Sequence, residues 1–177
     1  MSTSLPSICR ALTVVLLLAA VVAAGGCGKP SDPMSDADVQ SFRAFANSYQ
    51  VVATEMLTLS KAVADQKIPA ARTSLDTLTP ELQATDRTVQ AMHNRTVRLI
   101  LEDYMRITRK AIGAVGKLVS ALEANPDTVP SRDLLAEIES TSADLKEADG
   151  NLVGRVLDQT VSKAQKRAID EAITIQK

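Results

Sequence analysis

Phe42, Phe45, Tyr49, Val52, Met56, Leu59 and Val63 follow one another in steps of three and four. That spacing is a heptad seam, an apolar stripe along one side of a helix, and it is buried only by packing against other helices. A second run holds Val97, Ile100, Leu101, Tyr104, Met105, Ile107, Ile112, Val115, Leu118, Val119 and Leu122. Its arc is too wide for one neighbour and implies two. A third run carries Leu134, Leu135, Ile138, Leu145, Leu152, Val156, Leu157, Val161, Ala164, Ala168, Ile169 and Ile173. Aromatics make up 2% of the 177 residues and Gly and Pro number seven each, which disfavours aromatic-rich strands joined by frequent tight turns. The expected fold class is all-α.

Punctuation divides the pattern. Ser35 is a capping candidate, followed by Asp36 and Asp38, whose charges suit the positive pole of a helix. Pro69 must end or kink the first segment. Thr79-Pro80-Glu81 has the form of a helix start, with a cap, a first-turn proline and an acid, and Leu82, Val89, Met92 and Leu99 continue as one stripe. Residues 125–130 form a loop, and Ser131 and Asp133 open the last segment. Segments 34–78, 80–124 and 131–175 are 45 residues each. They predict an elongated antiparallel bundle of three long helices, about 67 Å in length. If Pro69 or Gly150 makes a true turn, the bundle has four or five shorter helices instead. Gly113 and Gly116 allow either close helix approach or a local bend.

The first 26 residues are different in kind. Seventeen are apolar, none is acidic, and Arg10 is the only charge before an apolar run, residues 11–24, too short to span a bilayer comfortably. The run ends in Ala24-Gly25-Gly26-Cys27, which resembles the lipobox of bacterial lipoproteins, with Ala24 where that family more often has Leu. The resemblance covers residues 1–27. It implies cleavage by signal peptidase II after Ala24, Gly25 and Gly26, and diacylglycerol on Cys27. The other reading is an uncleaved anchor, or a secreted chain with a buried cysteine. On the lipoprotein reading, 1–26 is a signal peptide, 27–34 a lipidated cysteine with a short linker, and 35–177 the helical domain. Cys9 is then discarded, and acyl chains worth roughly 0.8 kcal/mol per buried CH₂ hold Cys27 in the membrane. Gly28 occupies the position where Asp favours inner-membrane retention in Gram-negative lipoproteins. The expected location is therefore the outer membrane facing the periplasm, or the outer face of the cell membrane where there is only one.

Chemistry is sparse. His93 is the only histidine, so the chain lacks His-Glu-x-x-His and paired Glu-x-x-His, and it has neither Cys-x-x-Cys-His nor Gly-x-Ser-x-Gly. No catalytic residue, metal or cofactor is expected, and the chain is read as not an enzyme. A net charge of −1 gives no general positive field for nucleic acid. Expected partners are the membrane, through diacylglyceryl Cys27, and another envelope protein.

Two features carry alternative readings. His93 and Tyr104 are the polar handles of the wide face, either a ligand site between helices or core-margin packing. Arg95, Arg98, Arg106 and Arg109, with Lys110 beside them, form a basic strip for anionic lipid or an acidic partner. Alternatively, with Glu102 at ladder spacing, they form an ordinary solvated face. The leading expectation is a lipid-anchored, non-catalytic scaffold, adaptor or accessory subunit. The alternative is a ligand-binding or sensing bundle that holds a small apolar molecule or metal.

Overall fold

Ser35 caps the first helix as its position suggests. The Asp38 N–H donates to Ser35 Oγ at 3.2 Å, and the Ser35 N–H donates back to the Asp38 carboxylate at 3.0 Å, a reciprocal capping box. Among residues 32–174, which the computed structural model describes, there are five helices and no strand. They are α1 (Asp36–Ala64), α2 (Ile68–Gln90), α3 (Arg95–Ala124), α4 (Arg132–Leu157) and α5 (Lys163–Thr174). All seven residues of the α1 seam are buried, from Phe42 to Val63.

The helix boundaries correct the three-segment expectation. A turn does precede Pro69, which lies in the first turn of α2. At this turn Gln66 adopts a left-handed φ of 58°, its N–H donates to the Val63 carbonyl at 3.1 Å, and the Lys67 N–H donates to the Ala62 carbonyl at 2.8 Å. That is a Schellman termination without the usual glycine. The expected start at Thr79-Pro80-Glu81 is not a start, because α2 runs through Pro80 without interruption. The chain turns instead at 91–94, where Asn94 caps α3 by accepting the Val97 N–H at 2.8 Å. This turn breaks the phase of the stripe drawn through Leu82, Val89, Met92 and Leu99. Val89 and Met92 are buried, whereas Leu99 is 52% exposed. Ser131 caps α4 as expected, but α4 passes straight through Gly150. The last turn falls at 158–162, where Ser162 Oγ accepts the Gln165 N–H at 3.1 Å to open α5. Gly113 and Gly116 mark no close backbone approach, since a Cβ at Gly116 would meet only the Leu75 side chain, at 3.8 Å, and one at Gly113 nothing within 4 Å.

Consecutive helices pack across short connections, α1 on α2, α2 on α3 and α3 on α4, and α5 returns to α1. They therefore run alternately up and down. With 29 residues, α1 is about 43 Å long, so the bundle is shorter and thicker than a three-helix one would be.

Pro80 is exposed inside α2 and leaves the Asp76 carbonyl without its N–H partner. Pro80→Ala is expected to stabilise the protein by about 1–2 kcal/mol, restoring that bond at a small entropic loss from the freer unfolded chain. Urea denaturation read by far-UV circular dichroism measures this, and an unchanged or lower midpoint contradicts it.

Residues 32–35 are held at one end of the bundle from two sides. Toward the α2–α3 turn, Asn94 Nδ2 donates to the Asp32 carbonyl at 2.7 Å. Asp32 Oδ2 in turn accepts the Thr96 N–H at 3.2 Å. Toward the α4–α5 turn, the Met34 N–H donates to the Gln159 carbonyl at 2.9 Å, and Gln165 Nε2 donates to the Met34 carbonyl at 3.1 Å.

Candidate functional site

The chain has two Phe and two Tyr, and all four meet in one cluster. Phe42, Phe45 and Tyr49 come from successive seam positions of α1, with centroids 5.9 Å and 5.8 Å apart along the row. Tyr104 enters from α3, 5.0 Å from Tyr49 and edge-on to Phe45 at 6.4 Å. Edge-to-face and tilted contacts of this kind add to the burial of the rings.

Two hydroxyls must be satisfied inside this apolar patch. The Tyr104 hydroxyl donates to the Asp149 carboxylate on α4. Thr108 Oγ1 donates to the Tyr104 carbonyl at 3.0 Å, which leaves its lone pairs to accept the Tyr49 hydroxyl at 3.4 Å. Burial, reinforced by the nearby Asp149 charge, pushes Tyr49 up to about 12. Burial likewise raises Tyr104 well above its usual value, with Tyr49 and Asp149 adding to the effect. Both phenols are thus neutral donors at physiological pH. Burial also raises the Asp149 carboxyl, and the Tyr104 hydrogen bond opposes that only in part.

Asp149 gives a testable pH dependence. Its pKa is above the ordinary 3.8, so the folded state holds the proton more tightly than the unfolded chain does. Stability from this group is complete below 3.8 and declines as pH rises through the raised folded value. Asp149→Asn keeps an acceptor for Tyr104 and removes the half-buried charge. We expect a higher Tm at neutral pH and a shallower decline between acid and neutral pH. A variant that shows the same decline as the wild-type protein refutes this assignment.

Tyr104 and Leu152 separate two spaces. Inside lies a cavity of about 20 Å³ lined by the aromatic cluster with Leu152, Val153 and Ile173, room for one water-sized group. Outside lies a groove of about 400 Å³ between α3 and α4. Ile100, Ile107 and Leu152 contribute its apolar wall, and Arg106, Lys110 and Arg155 face Asp103, Asp144 and Glu147 around it. Arg106 pairs with Asp103 at 2.6 Å, Arg155 approaches the same carboxylate at 3.9 Å, and Lys110 reaches Asp144 at 3.8 Å. These pairs are exposed, so each contributes little to stability.

The predicted handles are not brought together. Tyr104 is buried at the groove, but His93 is exposed in the turn before α3, more than two helical turns away. The basic strip is laced with acids. Arg98 lies 3.8 Å from Glu102, Arg106 pairs with Asp103, and Arg109 pairs with Asp86 on α2. Arg95 alone of the four makes no ion pair among the described residues. Asp149 is a site residue outside the sequence expectation, although the sequence carries a signal for it. It sits in the seam Leu145, Asp149, Leu152, Val156, a charge where a core residue is expected.

No group of three or more His, Cys, Asp or Glu side chains suited to a metal occurs among the described residues. Nor is any helix among them long and apolar enough to cross a membrane. Ala24, Gly25, Gly26 and Cys27 lie outside the described residues. In comparisons with protein-family models, curated proteins and solved structures, nothing matches this chain.

Proposed function

We propose that the protein is a lipid-anchored helical bundle of the bacterial cell envelope, a non-catalytic scaffold, adaptor or accessory subunit. The observation that carries this reading is the lipobox-like Ala24-Gly25-Gly26-Cys27, which ends only five residues before Asp32, where the hydrogen-bonded bundle begins. The interior supports it, because the Tyr49, Tyr104 and Asp38 side chains all bond to partners within the bundle, as packing requires. Cys27→Ala tests the reading. We expect unprocessed, unacylated precursor in place of the shortened membrane-bound form. A variant that still fractionates with membranes in shortened form overturns it.

One observation favours a second reading. The groove of about 400 Å³ falls within the size range of small-molecule sites and combines an apolar wall with a charged rim. Such a lining suits a small amphiphile in a ligand-binding or sensing bundle. Native mass spectrometry of the purified mature protein distinguishes the two. A co-purifying small molecule displaced by Ile107→Trp supports the ligand reading, and bare protein supports the scaffold.

A further inference from the structure

We propose that the end of the bundle formed by residues 32–35, the α2–α3 turn at 91–94 and the α4–α5 turn at 158–162 docks on the headgroup layer of the membrane. In this pose the exposed side chain of Val161 enters the interface, and Arg95 and Lys163 meet lipid phosphates. The inference rests on the lipid-anchor reading and adds the docked face and its orientation.

Chain length argues first. Five residue steps separate Cys27 from Asp32, and even fully extended they span at most about 18 Å. The bundle is more than twice as long, since α1 alone rises about 43 Å over 29 residues. The second argument is attachment. The point where this short tether joins is not free to swing, because Asp32 is bonded to Asn94 and Thr96, and Met34 to Gln159 and Gln165. A lipid on Cys27 therefore keeps this end within reach of the bilayer.

The chemistry of the end suits that neighbour. Val161 is 60% exposed at its tip. Arg95 and Lys163 are exposed beside the two turns and form no ion pair among the described residues. Three acids nearby are engaged in hydrogen bonds. Asp38 accepts the His93 and Asn94 N–H groups, Asp32 accepts from Thr96, and Asp36 accepts from Gln165. Asp36 and Asp158 are the exposed carboxylates there, and Asp36 is held by its bond from Gln165. Individually weak contacts suffice, because the acyl anchor holds the surface at high effective concentration.

The test uses the full chain, processed in bacteria and reconstituted into vesicles of phosphatidylethanolamine and phosphatidylglycerol. Val161→Cys and Val129→Cys each receive a fluorophore, and quenching by lipids with nitroxide headgroups is measured. Val129, 86% exposed in the α3–α4 loop at the opposite end, serves as the comparison. We expect several-fold stronger quenching at 161 than at 129. In the background of Arg95→Gln with Lys163→Gln, quenching at 161 should fall while that at 129 stays low. Equal quenching at the two positions, or an unchanged signal in the double variant, overturns the docking proposal. Intact-mass analysis of the N-terminal fragment is read separately. Diacylglyceryl Cys27 without preferential quenching removes the docking alone, whereas a Cys27 without acyl groups removes the anchor and the docking together.

Discussion

Phe45→Ala is expected to destabilise the protein by about 3–5 kcal/mol, the usual cost of deleting a buried phenyl ring. Phe45 is 2% exposed and touches each of the other three rings, so the cavity left behind cannot be filled by small local shifts. The site joins α1 to α3, and Tyr104 continues the connection to α4 through Asp149. Loss of the ring thus loosens the contact on which both hydroxyl networks depend. For a chain of this size the effect corresponds to a fall in Tm of about 6–20 °C. Phe45→Leu, which keeps much of the volume, should lose less than half as much. Urea unfolding of the three proteins side by side is the measurement. An alanine variant within about 1 kcal/mol of wild type would mean that the cluster is not a packing centre.

The second large effect belongs to Asp38. Its carboxylate accepts four hydrogen bonds, from the Ser35 N–H at 3.0 Å and hydroxyl at 2.6 Å, and from the N–H groups of His93 at 3.1 Å and Asn94 at 2.8 Å. Two lie within its own helix start and two lie at the turn between α2 and α3. Asp38→Ala strands the buried Asn94 N–H and opens the capping box. We expect a loss of about 2–4 kcal/mol at neutral pH. Burial alone would raise this carboxyl, but the hydrogen bonds from Ser35, Asn94 and His93 outweigh it and hold the group below 3.8. The stabilisation is therefore complete above 3.8 and is lost as pH falls through the depressed folded value. The gap between wild type and Asp38→Asn should accordingly narrow in acid. A gap that stays constant across that window would assign Asp38 a purely steric role.

These two residues show what could be read from sequence and what could not. The helical class, the buried seam from Phe42 to Val63, the caps at Ser35 and Ser131 and the loop at 125–130 all follow from local spacing and local chemistry. The turn at 91–94 does not. It is fixed by Asp38, 55 residues away from His93, and no local window contains both partners. Pro69 leaves a kink and a turn equally open, and the turn at 65–67 itself carries no local mark, because Gln66 takes the left-handed position that glycine usually fills. Thr79-Pro80-Glu81 misled for the opposite reason. Its start signal is sound, but Pro80 lies on the solvent side of a helix already held by the burial of Leu78 and Thr85, and packing outweighs one missing hydrogen bond. Tyr104 was identified from its place on the wide face. Its partner Asp149 is not legible in the same way, because an acid next to Gly150 suggests a turn rather than a half-buried acceptor.

The two-sided attachment of residues 32–35 also sets how the molecule bears load. A pull along the chain from Cys27 reaches the bundle at Asp32 and Met34, and there it divides between the α2–α3 turn and the α4–α5 turn. The contacts of Asp32 and Met34 must give way before tension reaches α1, so α1 is not peeled from its neighbours while they hold. The short N-terminal segment thus works as a mechanical splice, and rupture under force should begin at the Asn94 and Gln165 bonds before any helix unwinds.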